Sequence, residues 1–162
     1  MDFMSDSMIG NRKFRTFNVI DDCTREVLAI EVDTSLSSKR IIRTLERIIE
    51  HRGIPQAVRT DNGPEFTSHH FEGWCREKQI DIQFIQPGKP MQNGYIERFN
   101  RLYREAVLDA YLFFELYQVR QLTDEWMEEY NYRRPHEGLD NLTPKEWKTR
   151  LLNNENTLIT TV

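Results

Sequence analysis

Two runs rich in β-branched and aromatic residues, FRTFNVI at 14–20 and EVLAIEV at 26–32, flank the turn-forming tetrad Asp21-Asp22-Cys23-Thr24. That pattern folds as a β-hairpin. It commits the chain to an antiparallel sheet before any helix appears, and residues 1–9 supply a third strand. Strand and helix signals then alternate. Ser37 or Ser38 caps a helix over 39–52, with Ile41, Ile42, Leu45, Ile48 and Ile49 at helical spacing and Gly53 as its stop. QAVRT at 56–60 is a short strand, Ser68 precedes a helix over about 69–79, and IDIQFI at 80–85 alternates as a strand. A Pro/Gly loop at 86–92 leads to helix 94–110, and a further helix covers about 115–131. Thr143 caps a last helix with Pro144 in its first turn, and residues 153–162 read as a loose tail.

The order β-β-β-α-β-α-β-α-α-α predicts an α/β fold, with a mixed five-stranded sheet flanked by helices. The expected organisation is a core over 1–110, a helical C-terminal extension over 111–152 packed on it, and a flexible tail over 153–162. With 162 residues the chain has room for one domain, and 11% aromatic content argues against disorder. No apolar run approaches the ~20 residues of a membrane span. The N-terminus lacks the basic-then-apolar pattern of a secretory signal. Two cysteines exclude a disulfide framework, so the expected compartment is the reducing cytoplasm. A net charge of −4 is not the signature of a dedicated nucleic-acid binder. The local distribution differs from that total.

Three acidic residues stand out by position. Asp2 lies in the first strand, Asp61 ends the fourth and precedes Asn62-Gly63-Pro64, and Glu97 opens a helix after the Pro/Gly loop. Taken singly, an Asp before Asn-Gly is a turn residue and a Glu in a first helical turn serves the helix dipole. Taken together, strand ends and helix starts are where α/β folds place function. Three converging carboxylates repel one another unless a cation lies between them. Hard oxygen donors select Mg²⁺ or Mn²⁺, and two such ions about 3.5–4 Å apart can clamp both oxygens of a phosphodiester exchange.

TDNGPEF at 60–66 and PGKPMQNGYIERFN at 87–100, with 35 residues (62 through 96) between Asp61 and Glu97, resemble the second and third acidic boxes of the retroviral-integrase-like DDE transposases. The likeness is closest to the second-reading-frame transposase of bacterial insertion-sequence-three elements. MDFM at 1–4 resembles the first box, with Asp2 as its aspartate. VIDDCTREVLAIEV at 19–32 resembles the family hairpin, and YNYRRPHEGLDNLTPKEW at 130–147 its C-terminal end. The resemblance implies a ribonuclease-H-like fold and DNA 3′-end cleavage followed by strand transfer. It also implies Asp2, Asp61 and Glu97 as catalytic ligands of two Mg²⁺ or Mn²⁺ ions, and DNA and further copies of the chain as partners. No membrane and no small-molecule substrate is expected. In the family the first box is preceded by a tryptophan, the start of its strand and a DNA-binding region; here Asp2 directly follows Met1. Asp2 is therefore expected to fray. An α-amino group protonated at neutral pH, with an ordinary pKa of about 7.7–8.0, is expected to compete with metal for it.

Lys89, Arg98, Arg101 and Arg104 against Glu97 give residues 86–104 a local charge of +3. Arg101 and Arg104 share a helical face with Glu97, and guanidinium forks suit phosphate oxygens. Asn93 is a helix cap that the resemblance also places near DNA, and Asn62 shapes the turn or supports the Asp61 carboxylate; Asn62, Lys89, Asn93, Arg98, Arg101 and Arg104 are the residues expected to bind DNA. Helix 39–52 also carries +3, read as a solvated face. His69 and His70 diverge by about 100° on a helix, which suits the surface better than chelation. Trp74, Trp126 and Trp147 fit helix core faces. His136 yields no role. The alternatives to a transposase core are a truncated, inactive copy acting as an oligomerising or DNA-binding regulator, and a nuclease acting on RNA–DNA hybrids.

Overall fold

A computed structural model of the protein describes residues 1–86 and 94–159, with side chains through Asn153. The five expected strands are present. β1 (Asp2–Ser7), β2 (Lys13–Ile20) and β3 (Val27–Asp33) form an antiparallel ladder in that order. Its register pairs Asp2 with Asn18 and Arg15 with Asp33, and shifts between Val19 and Ile20. β4 (Ala57–Thr60) and β5 (Asp81–Phe84) form a separate parallel pair. The sheet thus comes as three strands plus two rather than one unbroken ladder. Among the described residues a single backbone hydrogen bond joins the halves, from the Met1 amino group to the Arg59 carbonyl at 2.7 Å.

The period-2 alternation of β2 makes the ladder two-faced. Phe14 enters the apolar layer shared with the later helices, whereas Phe17 and Val19 enter the layer on the opposite face. The second layer holds α1 (Ser38–Arg52), through Ile41 and Leu45, and α2 (His69–Lys78), through Phe71, Trp74 and Cys75. The Ser68 hydroxyl caps α2 by accepting from Phe71 N at 3.3 Å. The first layer holds α3 (Gly94–Tyr103), with Ile96, Phe99 and Tyr103 inward, and α4 (Leu116–Tyr132), with Val119, Trp126 and Tyr130 inward. The Tyr103 hydroxyl and Thr123 Oγ1, 2.6 Å apart, bind the two helices together.

The single helix expected over 94–110 is interrupted. Arg104–Leu108 form a π turn closed by Asp109 N donating to the Arg104 carbonyl at 2.8 Å. The wider turn lets the adjacent residues Val107 and Leu108 both reach the core, which a regular helix would set about 100° apart. α5 (Pro144–Ile159) begins at a reciprocal cap, with Glu146 N donating to Thr143 Oγ1 and Thr143 N to Glu146 Oε2. It runs on through Ile159, into the segment read as a tail. Trp147 is only half-buried, with Arg150 over its ring, so it is not the core residue expected.

Polar clasps hold the C-terminal elements to the sheet. At the β3 edge, the Asn131 side chain accepts from Val27 N and donates to the Val27 carbonyl, both at 2.9 Å, in place of a further strand. The arginines of α1 are not simply solvated. Arg40 and Arg47 pair with Glu31, and Arg52 pairs with Glu26 and Asp21. No helix among the described residues is long and apolar enough to cross a membrane.

Candidate active site

Asp2 does not fray. Its backbone is paired to Asn18 across the ladder, and its carboxylate accepts from Phe3 N at 2.8 Å and from Asn100 Nδ2 at 2.7 Å. Asn100 is held in turn, because Asn18 Nδ2 donates to its Oδ1 at 2.7 Å. Asn18 is fully buried. A relay of two amides therefore runs from the core through α3 to the first carboxylate. The sequence reading missed both asparagines. The signal was available, since Asn100 lies three residues after Glu97 and shares its side of the helix.

The expected competition from the amino terminus is also corrected. Burial pushes the Met1 ammonium down to about 6, despite nearby acids that favour its charge. At neutral pH the group is mostly neutral, and it spends a hydrogen bond on Arg59.

Asp61 follows β4 and is exposed, its Oδ1 accepting from Gly63 N at 3.0 Å. A Cβ at Gly63 would sit 3.0 Å from that oxygen, so a larger residue there would push the carboxylate aside. The turn is anchored by Glu65, which pairs with Arg15 of β2. Asn62 does not support Asp61; its Nδ2 donates to the Ile85 carbonyl at 3.3 Å and ties the ends of β4 and β5 together. Glu97 lies exposed in the first turn of α3.

The charges of Asp61 and Glu97 reach Asp2. Burial raises the Asp2 carboxyl above the usual aspartate range, the charges of Asp61 and Glu97 raise it further, and the Phe3 hydrogen bond opposes them. Among the described residues no three acidic, His or Cys side chains are gathered closely enough to hold a metal ion as they stand. The donor chemistry nonetheless suits a hard divalent cation, since all three groups are carboxylates and mutual repulsion is what such an ion relieves.

The basic residues divide. Arg101 is exposed. Arg104 is not free beside Glu97, for it pairs with Asp6 at 3.4 Å and Asp109 at 3.5 Å and donates to the Ser5 carbonyl at 3.1 Å. The geometry explains this. Asn100 meets Asp2 at one end of β1, and the long Arg104 side chain reaches Ser5 and Asp6 at the other, so α3 and the turn after it run alongside β1. Arg98, next to Glu97, is exposed as well. Lys89 and Asn93 lie outside the described residues.

The fold is a mixed α/β core with acids at the start of β1, just past β4 and in the first turn of α3. Residues 1–90 match the family described as "Integrase core domain", and residues 78–144 match a second family of the same description. The chain belongs to the integrase core domain family. It is 39% identical over 150 residues to the insertion element IS407 uncharacterized 31.7 kDa protein of Burkholderia multivorans, a match covering 93% of this chain and 54% of that protein. The chain spans about half the length of such relatives. Its fold matches a chain in the structure of the simian T-cell lymphotropic virus intasome in complex with PP2A regulatory subunit B56 gamma (TM-score 0.69, 21% identity, 83% of this chain and 48% of that one). It also matches the HTLV-2 integrase catalytic core domain solved in complex with magnesium (TM-score 0.67, 16% identity, 88% and 92%).

Proposed function

We propose that the chain is the catalytic core of a transposase of the insertion-sequence-three family, a DDE polynucleotidyl transferase that cleaves DNA at 3′ ends and joins them to a second duplex. The observation that carries this reading is that Asp61 and Glu97, from separate elements, lie within electrostatic reach of the half-buried Asp2, whose carboxyl their charges raise. Folds retain such repulsion where function uses it.

Asp2, Asp61 and Glu97 would hold Mg²⁺ or Mn²⁺, two ions in all, which when bound supply Lewis-acid polarisation of the phosphodiester and an activated hydroxyl nucleophile. The other residues set geometry. Asn100 aims Asp2 and Gly63 N aims Asp61, and Arg101, which is exposed, would take a backbone phosphate. Lys89, Asn93 and Asn62 remain candidates for contact with DNA. DNA in the bacterial cytoplasm and further copies of the chain are the proposed partners.

The test is joining of a duplex with a free 3′-hydroxyl to plasmid DNA in manganese. Asp61→Asn and Glu97→Gln are each expected to lower joining by roughly a thousandfold, from loss of several kcal/mol of charge stabilisation. Thermal unfolding without metal should show both variants folded. Joining near the wild-type rate would remove that residue from the mechanism. A second reading, a regulatory copy that oligomerises without catalysis, has one observation in its favour: the acids are not gathered into a ready cluster. Wild-type protein that binds DNA but shows neither manganese-dependent stabilisation nor joining would select it.

A further inference from the structure

We propose that Arg15 is a positioning residue that fixes Asp2 and Asp61 relative to each other. The inference rests on the transposase reading, in which both acids hold metal, and names the residue that keeps them aligned. Asp2 opens β1 of the three-stranded ladder, and Asp61 follows β4 of the other. Among the described residues one backbone hydrogen bond joins the two ladders, so side chains have to carry the alignment. Arg15 of β2 reaches the neighbours of both acids. Its guanidinium carbon lies 4.3 Å from the centroid of the Phe3 ring, and its Nη1 donates to Glu65 Oε1.

Each contact leads to one acid. On the first side, Phe3 directly follows Asp2, and its N donates to Asp2 Oδ1 at 2.8 Å. On the second, Glu65 belongs to the turn that holds Asp61. A Cβ at Gly63 would lie 3.0 Å from Asp61 Oδ1 and 3.5 Å from Glu65 Oε2, so the two carboxylates flank the same glycine. Phe66 N closes that turn by donating to the Gly63 carbonyl at 3.0 Å. The fully buried Phe66 ring then packs on Phe3, with centroids 5.2 Å apart. Arg15, Phe3, Phe66 and Glu65 thus form a closed circuit across the gap between the ladders. An arginine suits the place, because a planar guanidinium can lie on a ring and bond a carboxylate at once, whereas an ammonium has no flat face. Arg15 also has an electrostatic task. Without it, Glu65 would be a further negative charge beside Asp61 and a rival oxygen donor for a cation there.

The test is manganese affinity of the whole chain, read from thermal stabilisation, with amide exchange of the metal-free protein as a second readout. Arg15→Gln is expected to lower the affinity about tenfold, the effect of lost support for a metal ligand. It should also speed exchange of the Phe66 amide about tenfold. Glu65→Gln should do the same, and the double variant should be no worse than either single one, because both remove one interaction. Arg59→Gln is the control, since the Arg59–Asp22 pair crosses the same gap at another point; it should change neither readout. Unchanged or tighter manganese binding in folded Arg15→Gln overturns the proposal. So do additive losses in the double variant, or an equal loss in Arg59→Gln. If Arg15→Gln does not fold, Glu65→Gln carries the same test. Wild-type protein without manganese-dependent stabilisation would overturn the transposase reading, while faster Phe66 exchange in Arg15→Gln would leave the brace standing.

Discussion

Glu26, in the turn just before β3, and Asp2, at the start of β1, are carboxylates with opposite surroundings. Glu26, 6% exposed, is bonded by Arg52, with Lys145 Nζ at 3.2 Å and Lys148 Nζ at 3.5 Å. Burial pushes its carboxyl up, but the hydrogen bond and charge of Arg52, with those of the lysines, outweigh this and hold it below the usual range. Asp2 is half-buried, its charged neighbours include Asp61 and Glu97, and its carboxyl is held above the usual range. The first arrangement pins α1 and α5 to the hairpin turn. The second stores repulsion on an open face. The difference separates acids that build the fold from acids that wait for a partner.

Removing the charge at Glu26 should have the larger effect on stability. Glu26→Gln leaves Arg52, Lys145 and Lys148 without their common partner, and urea unfolding is expected to show a loss of about 3 kcal/mol at neutral pH. The acid limb gives the sign. The lowered carboxyls of Asp21, Glu26 and Glu31 contribute stability above the unfolded carboxylate value of about 4, and it is lost as pH falls through their lower folded values. The raised Asp2 works the other way, since the fold gains as Asp2 takes up a proton. Glu26→Gln should therefore flatten the acid limb; a limb as steep as wild type would mean that the clasp contributes little.

A smaller effect is expected on the other side of the comparison. Asn100→Ala releases Asp2 and leaves Asn18 with a lost partner. Manganese affinity, read from thermal stabilisation, should fall by about 10- to 100-fold, as for lost support of a metal ligand. Unchanged affinity would show that Phe3 N and the strand suffice to hold the carboxylate. Smallest of all, Asp61→Asn without metal should raise stability by less than about 1 kcal/mol, because it removes a charge that disfavours ionised Asp2. A loss of stability instead would mean that the Gly63 turn matters more than the repulsion.

Much of this was legible in the residues. The hairpin, the alternation of strands and helices, and the Ser68 and Thr143 caps follow from local chemistry, and the family boxes carried the positions of the acids. What escaped was set by tertiary contact. The π turn exists because Val107 and Leu108 both find room in the core. Arg104 has the spacing of a phosphate contact, yet Asp6 and the Ser5 carbonyl, far away in sequence, claim it. Asp2 looked like a loose end because a linear reading of its neighbours cannot show Asn18 and Asn100 closing on it. The amino group likewise loses its charge to burial, which no local sequence reveals.

That, among the described residues, a single backbone hydrogen bond joins the two ladders, from Met1 to Arg59, has a consequence for motion. Side-chain clasps from Arg59 to Asp22 and from Arg15 to Glu65 span the same boundary, and the apolar layer holding Phe17 and Phe66 runs beneath it. Amide exchange would then treat the two ladders as neighbouring protection blocks, with the boundary as the line along which they breathe. Asp2 belongs to one block and Asp61 to the other. A ligand gripped by both carboxylates becomes a rivet across that line, and part of its binding energy goes into stilling the breathing.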